Sequence, residues 1–263
     1  MELNLRDKIA IVTGASRGLG FATALLLAQE GSRVALNSRN PQNLETASQK
    51  INSLTGSPVL TIAGDVSQPE TANQMVERVV QEWGGIDILI TNAGGPPAGK
   101  FETFDLEDWH NAVNLNFISA VVLIRAALPH LRKSAAPAVL TVTSISVKQP
   151  IEGLVLSNSV RAATIGLTKS LALELGKDGI RFNSILPGWT ATERVEHLLQ
   201  HRAQTNHSTI EEERQKIASQ IALGRLADPQ EFARVAVFLV SPAASYITGS
   251  MIAVDGGFYR ATL

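Results

Sequence analysis

The stretch TGASRGLG, residues 13 to 20, carries glycines at 14, 18 and 20 directly after a short apolar run and directly before a helix-like one. Such glycines permit a tight turn and close backbone approach, and free amides at a helix N-terminus hold negative charge. The chemistry predicted here is the binding of a pyrophosphate by Gly14, Ser16, Arg17, Gly18, Leu19 and Gly20. The spacing is G-x-x-x-G-x-G and not the G-x-G-x-x-G of the common dinucleotide fingerprint, so the strand–turn–helix setting carries more weight than the glycines alone. A second stretch, LSNSVRAA at 156 to 163, places Ser157 and Arg161 four residues apart, hence on one helix face. It offers a hydroxyl and a fixed positive charge, but no tyrosine, lysine, histidine or carboxylate. A serine hydroxyl donates hydrogen bonds but is a weak proton source, and a guanidinium does not shuttle protons as an amine does. Ser144 follows the run LTVT, and Lys148 and Glu152 lie beyond it on SVKQPIEG, where a substitute acid could sit. The chain has no cysteine, and its five histidines, at 110, 130, 197, 201 and 207, show no metal-ligand spacing; no metal site is expected.

These residues need elements to hold them. Seven short β-branched runs recur: KIAIVTG, SRVALNSR, VLTIAGDV, DILITNAG, AVLTVTS, IRFNSILPG and MIAVDGG. Each is apolar at consecutive positions, as a strand buried on both faces must be, which a parallel sheet covered by helices requires. The segments between are long enough for right-handed crossover helices. One ends at Gly31, and another runs from Pro69 to Trp83 before Gly84-Gly85. The prediction is an α/β Rossmann-like doubly wound fold, a seven-stranded parallel sheet flanked by helices, in a single domain spanning 1–263. Residues 190 to 222 break the rhythm with a charged, helix-favouring stretch. It reads either as a helical lid over a ligand or as a solvated excursion, the two differing in whether Val195, Leu198, Leu199 and Ile217 face that ligand.

The whole chain excludes several classes. At 263 residues with 44% hydrophobic and 18% charged residues it is ordinary globular material. Lys+Arg number 23 against 24 Asp+Glu, so no global field favours nucleic acid or an anionic membrane. No stretch reads as a secretory signal or reaches the roughly 20 apolar residues of a membrane span. A cytoplasmic protein is expected.

Taken together, these residues resemble the short-chain dehydrogenases/reductases over almost the whole chain. The resemblance rests on Thr13 to Gly20, Asp65-Val66, Asn92-Ala93-Gly94, Asn114 in AVNLNF, Ser144, Pro187-Gly188 and the ending Val254-Asp255-Gly256-Gly257. It implies a nicotinamide cofactor, a small-molecule carbonyl or alcohol substrate, and a homotetramer or homodimer built through the helices around Asn114 and Ser157 and the C-terminal strand. Asp65 would bond the adenine amino group with Val66 against the ring edge, Asn92 would steady the sheet beside the cofactor, and Thr190 would follow Pro187 and Gly188 along it. At the end of the second strand, NAD-preferring relatives carry an acid that would repel a 2′-phosphate. This chain carries Ser38 there, with Arg39 beside it and Arg17 in the glycine turn, which favours NADP(H).

The resemblance also marks a departure. The family's reductases use Ser, Tyr and Lys supported by an Asn; here Ser144 and Asn114 take the first and last places, but Ser157 and Arg161 stand where Tyr and Lys are expected. The closest general likeness is to 3-oxoacyl-carrier-protein reductases. The leading expectation is an NADP(H)-dependent oxidoreductase of a carbonyl/alcohol pair, its proton coming from water, Ser157 or Lys148. A catalytically impaired dinucleotide-binding sensor or scaffold, and a lyase or isomerase in the same pocket, are the alternatives.

Overall fold

The computed structural model describes residues 1–262. Its strands β1 (Ile9–Val12), β2 (Arg33–Ser38), β3 (Val59–Ala63), β4 (Ile88–Thr91), β5 (Ala138–Val142), β6 (Arg181–Pro187) and β7 (Met251–Val254) fall within the seven apolar runs. They form one parallel sheet in the order β3-β2-β1-β4-β5-β6-β7. Side chains alternate between the faces of a strand. Ala10 and Val12 accordingly enter one core with Leu36, Ile88 and Leu140, while Ile11 between them enters the other with Ala35, Leu89 and Val139. Both faces are apolar because both are covered, which explains the consecutive hydrophobic positions.

Helices α1 (Gly18–Gln29), α2 (Pro41–Thr55) and α3 (Pro69–Trp83) are the first crossovers. Next come α4 (Leu106–Val113) and α5 (Ser119–Leu131), then α6 (Val155–Leu175), α7 (Glu193–Asn206), α8 (Ile210–Ala218) and α9 (Pro229–Val240). Leu27 of α1, Leu44 of α2 and Phe232 of α9 pack into the first core, and Met75 of α3 and Ile124 of α5 into the second. Leu36 is fully buried, and truncating it to alanine should cost about 2–5 kcal/mol. Gly84, at φ +88°, ends α3 in the left-handed region, as the sequence predicts.

Between α4 and α5, residues Asn114–Ile118 form a single π-turn, so the backbone is helical from Leu106 to Leu131. This 26-residue helix is long and apolar enough to cross a membrane, which corrects the expectation that no segment approaches that length. Its apolar residues Leu123, Ile124, Ala127 and Leu131 are buried in the second core, which accounts for the composition.

Helices α7 and α8 make a separate layer. Leu199 and Ile217 are buried in a small cluster with Ile145, Trp189, Val195, Ile221 and Phe258. At the turn between the helices the carboxylate of Glu213 accepts hydrogen bonds from Asn206 (3.1 Å), Ser208 (2.7 Å) and Lys216 (2.7 Å).

Candidate active site

In an open parallel sheet the ligand crevice lies beyond the C-terminal strand ends where the strand order reverses. Here that point falls between β1 and β4, and a cleft of about 510 Å³ opens there. It runs from Arg39 and Asp65 past the glycine turn to Ser144, Ser157 and Arg161.

The glycine turn is tied down from β4. Thr13 Oγ1 donates to the Asn92 carbonyl (2.7 Å) and accepts from the Asn92 amide (2.8 Å), while Asn92 Nδ2 donates to the Gly14 carbonyl (3.2 Å). Gly14 sits at φ +57°, and a Cβ on Gly20 would lie 2.3 Å from the Gly14 carbonyl, so a side chain at either position would break the turn. The first turn of α1 has no side-chain cap and no acidic residue, whereas α2, α7, α8 and α9 are capped by Asn40, Thr192, Thr209 and Asp228. The α1 amides are left to an external anion.

Gly14, Ser16, Arg17, Gly18, Leu19, Ser38, Arg39, Asp65, Val66, Asn92, Ala93, Gly94, Pro187, Gly188 and Thr190 all line the cleft. Gly20 does not; it lies beneath the turn, close to Gly14 and Asn92. Arg39, 72% exposed in its side chain, is 3.9 Å from Asp65, whose other oxygen accepts from the Ser67 amide in a turn. Arg17 makes a different pair: its guanidinium meets Glu193 at the start of α7 (2.5 Å), joining the glycine turn to that helix. Both arginines line the cleft, Arg17 held by Glu193 and Arg39 beside Asp65.

At the other end, Ser144 Oγ accepts from the Ser146 amide (3.1 Å), leaving its proton free to donate into the cleft. Ser157, 8% exposed, makes no side-chain hydrogen bond among the described residues. Arg161 is equally buried; its guanidinium donates to the carbonyls of Val142 (3.1 Å), Thr143 (3.1 Å) and Ala93 (3.4 Å). Burial, and then the neighbouring Arg194 cation, lower its pKa to about 10, so it remains charged at neutral pH.

Two expected residues lie outside this wall. Lys148 does not line the cleft; its ammonium sits 5.0 Å from the ring centroid of Tyr259. Asn114 is exposed and also absent from the lining. Asn116, two residues later, is the buried one: its Nδ2 donates to the Gly94 carbonyl (2.9 Å), its own carbonyl accepts from Thr164 Oγ1 (2.9 Å), and its Oδ1 has no partner. It shares a small pocket with Arg161, Thr13 and Thr164. The π-turn adds a residue to the helical turn here and shifts which side chains face inward. Of the four apolar residues singled out between 190 and 222, Val195 and Leu198 line the cleft, whereas Leu199 and Ile217 stay in the small cluster of α7 and α8. Arg194 and His197 also line it, two residues that this charge-rich stretch of sequence does not single out.

A doubly wound parallel sheet with an uncapped, glycine-turned helix at its switch point is a dinucleotide-binding framework. A protein-family model described as "Enoyl-(Acyl carrier protein) reductase" matches residues 14–259. The chain is 33% identical to the 3-oxoacyl-(acyl-carrier-protein) reductase FabG of Vibrio cholerae, over 98% of this chain and 99% of that one. It is 34% identical to dehydrogenase/reductase SDR family member 4 of Oryctolagus cuniculus, over 96% and 94%. The L-sorbose reductase of Gluconobacter frateurii, solved with NADPH and L-sorbose, superposes with a TM-score of 0.94 at 33% identity, covering 99% of this chain and 100% of that one. The chain belongs to the short-chain dehydrogenase/reductase family.

Proposed function

We propose that this protein is an NADP(H)-dependent oxidoreductase that interconverts a carbonyl and an alcohol, with Ser157 and Arg161 in the places of the family's usual Tyr and Lys. The observation that carries the reading is one continuous cleft. It has a phosphate-ready helix start and Arg39 at one end, and two hydroxyls beside a buried cation at the other. The residues present fit the cofactor: a Cβ would fill the glycine cradle, and Thr190, a residue of the cleft wall, has a buried hydroxyl without a partner. The amides of Gly18 and Leu19 would hold the pyrophosphate, Arg39 the 2′-phosphate, and Thr190 the far end. When bound, NADPH supplies the hydride.

The chain's own residues do the rest. Ser144 and Ser157 donate hydrogen bonds to the carbonyl oxygen and polarise it. As negative charge develops on that oxygen, the fixed charge of Arg161 stabilises it at low local dielectric. Neither serine hydroxyl is a strong acid and Arg161 keeps its proton, so the proton that completes the alcohol comes from solvent through the open cleft. The likeness to 3-oxoacyl-carrier-protein reductases supports an oxoacyl-type carbonyl. A helical lid at 190–222, a cytoplasmic location and assembly into dimers or tetramers complete the reading.

One observation favours a second reading, a dinucleotide-binding protein without turnover: Arg161 is held by three backbone carbonyls, which is a structural use of that side chain. The two separate by following nicotinamide absorbance with NADPH against a panel of ketones, 3-oxoacyl thioesters, quinones and oxo acids. Turnover that falls at least about tenfold in Ser144→Ala is expected; tight NADPH binding with no turnover across the panel would favour the second reading.

A further inference from the structure

We infer that the substrate is an oxo acid, its carboxylate held by Arg194 at the mouth of the cleft and its carbonyl carried inward to Ser144 and Ser157. The inference rests on the reductase reading and narrows it to a charge class.

Four arginines line the cleft, at 17, 39, 161 and 194, but only two carboxylates, Asp65 and Glu193. Both carboxylates are engaged. Glu193 pairs with Arg17 at 2.5 Å and Asp65 lies 3.9 Å from Arg39. Arg161 and Arg194 have no carboxylate within ion-pair distance among the described residues, so two positive charges at the same end of the cleft go unneutralised. Arg161 is the buried one, and a buried cation is costly unless an anion offsets it, since carbonyl oxygens solvate a guanidinium without cancelling its charge; Arg194 is exposed to the cleft, where an incoming anion can reach it. The cost shows in the lowered pKa of Arg161, to which Arg194 contributes.

Neither of these two cations lies on the glycine turn. Adjacent lid residues diverge: Glu193 reaches back to the glycine turn, whereas Arg194 donates to the Pro96 carbonyl (2.7 Å) and lies against Gly95, on the loop after β4. That loop is in turn pinned to the start of α6, where the Gly99 amide donates to the Gly153 carbonyl (2.7 Å). Arg194 therefore borders the loop that leads to the wall carrying Ser157 and Arg161.

The charges then match in number. In the reduction of an oxo acid the transition state brings one carboxylate and one developing alkoxide, and the wall offers one cation for each. The C=O π bond breaks, a C–H bond forms with the hydride, NADPH becomes NADP⁺, and one solvent proton completes the hydroxy acid. A neutral ketone would leave Arg194 without a charge partner.

The test is a matched pair of probes, levulinate against methyl levulinate and acetoacetate against methyl acetoacetate. Each is titrated into NADPH-loaded protein by calorimetry and then followed for NADPH oxidation. Each acid should bind at least about tenfold more tightly than its ester, the scale of a charge-assisted contact. Arg194→Met should abolish the ratio and Arg194→Lys should keep most of it. Arg194 is exposed to the cleft, so these variants leave the core untouched. Esters that bind as well as the acids, acids that do not bind at all, or a ratio that survives Arg194→Met would overturn the inference. Acids that bind without any NADPH oxidation would instead refute the reductase reading and leave the anion site standing.

Discussion

At the residue scale the account turns on Ser157 and Arg161. A positioned general acid contributes about 10²–10⁴-fold, and in the proposed function the two residues supply hydrogen bonding and charge in place of one. The double replacement Ser157→Tyr with Arg161→Lys should therefore raise the reductase kcat by at least about tenfold. An unchanged or lower kcat in folded double variant would mean that the native pair already delivers the proton efficiently. The pH profile gives an independent check. Arg161 is lowered to about 10, not to neutrality, so its cation is constant from pH 6 to 9 and is lost only as pH rises through about 10. Loss of activity from this group is expected in that alkaline range alone, and a limb near pH 7 that disappears in Arg161→Lys would contradict the assignment. At the other end of the cleft, Arg39 is largely exposed and held only by a 3.9 Å approach to Asp65, so it can turn to a 2′-phosphate. Arg39→Ala should weaken NADPH binding about 10- to 100-fold and NADH binding little; equal losses in paired titrations would defeat the choice of cofactor.

At the element scale the lid and the long helix matter most. Helices α7 and α8 are joined at Glu213, whose side chain is 2% exposed and whose pKa is held down to about 2 by its bonds to Lys216, Ser208 and Asn206. A carboxylate with a depressed folded pKa contributes stability that is full above its unfolded value and is lost as pH falls towards the folded one. Amide exchange in α7 and α8 should therefore quicken selectively between about pH 4.5 and 2, and Glu213→Gln should reproduce that at pH 7. Uniform acceleration across the whole sheet would point to global unfolding instead. The elements also show where the sequence could be read and where it could not. The strands were legible because burial on both faces writes itself as consecutive apolar positions, and the end of α3 because Gly84 must take a left-handed conformation. The inward asparagine was not: the motif AVNLNF offers Asn114 and Asn116 alike, and a π-turn, which is a choice of backbone hydrogen bonds and not of residue types, buries the second. Asn116→Ala should lower activity while Asn114→Ala leaves it near the parent value. Arg194 was hidden for another reason, since one arginine in a charge-rich helix is indistinguishable by sequence from its solvated neighbours.

At the scale of the whole molecule, the strand order brings chemistry from the ends of β1, β2, β4, β5 and β6 to one crevice. The glycine turn is bonded across the switch point to β4 through Thr13 and Asn92, and Arg161 bonds the ends of β4 and β5. The cleft is thus formed by the fold itself, and binding there should add to the stability of the folded state by mass action. The central claim is that this preformed cleft takes up a phosphorylated dinucleotide. It is tested most directly by titrating the folded protein with NADPH and with NADH in a calorimeter at one ionic strength. One NADPH per chain, bound at least about tenfold more tightly than NADH, is the predicted result; heat from neither nucleotide would contradict the account at its root.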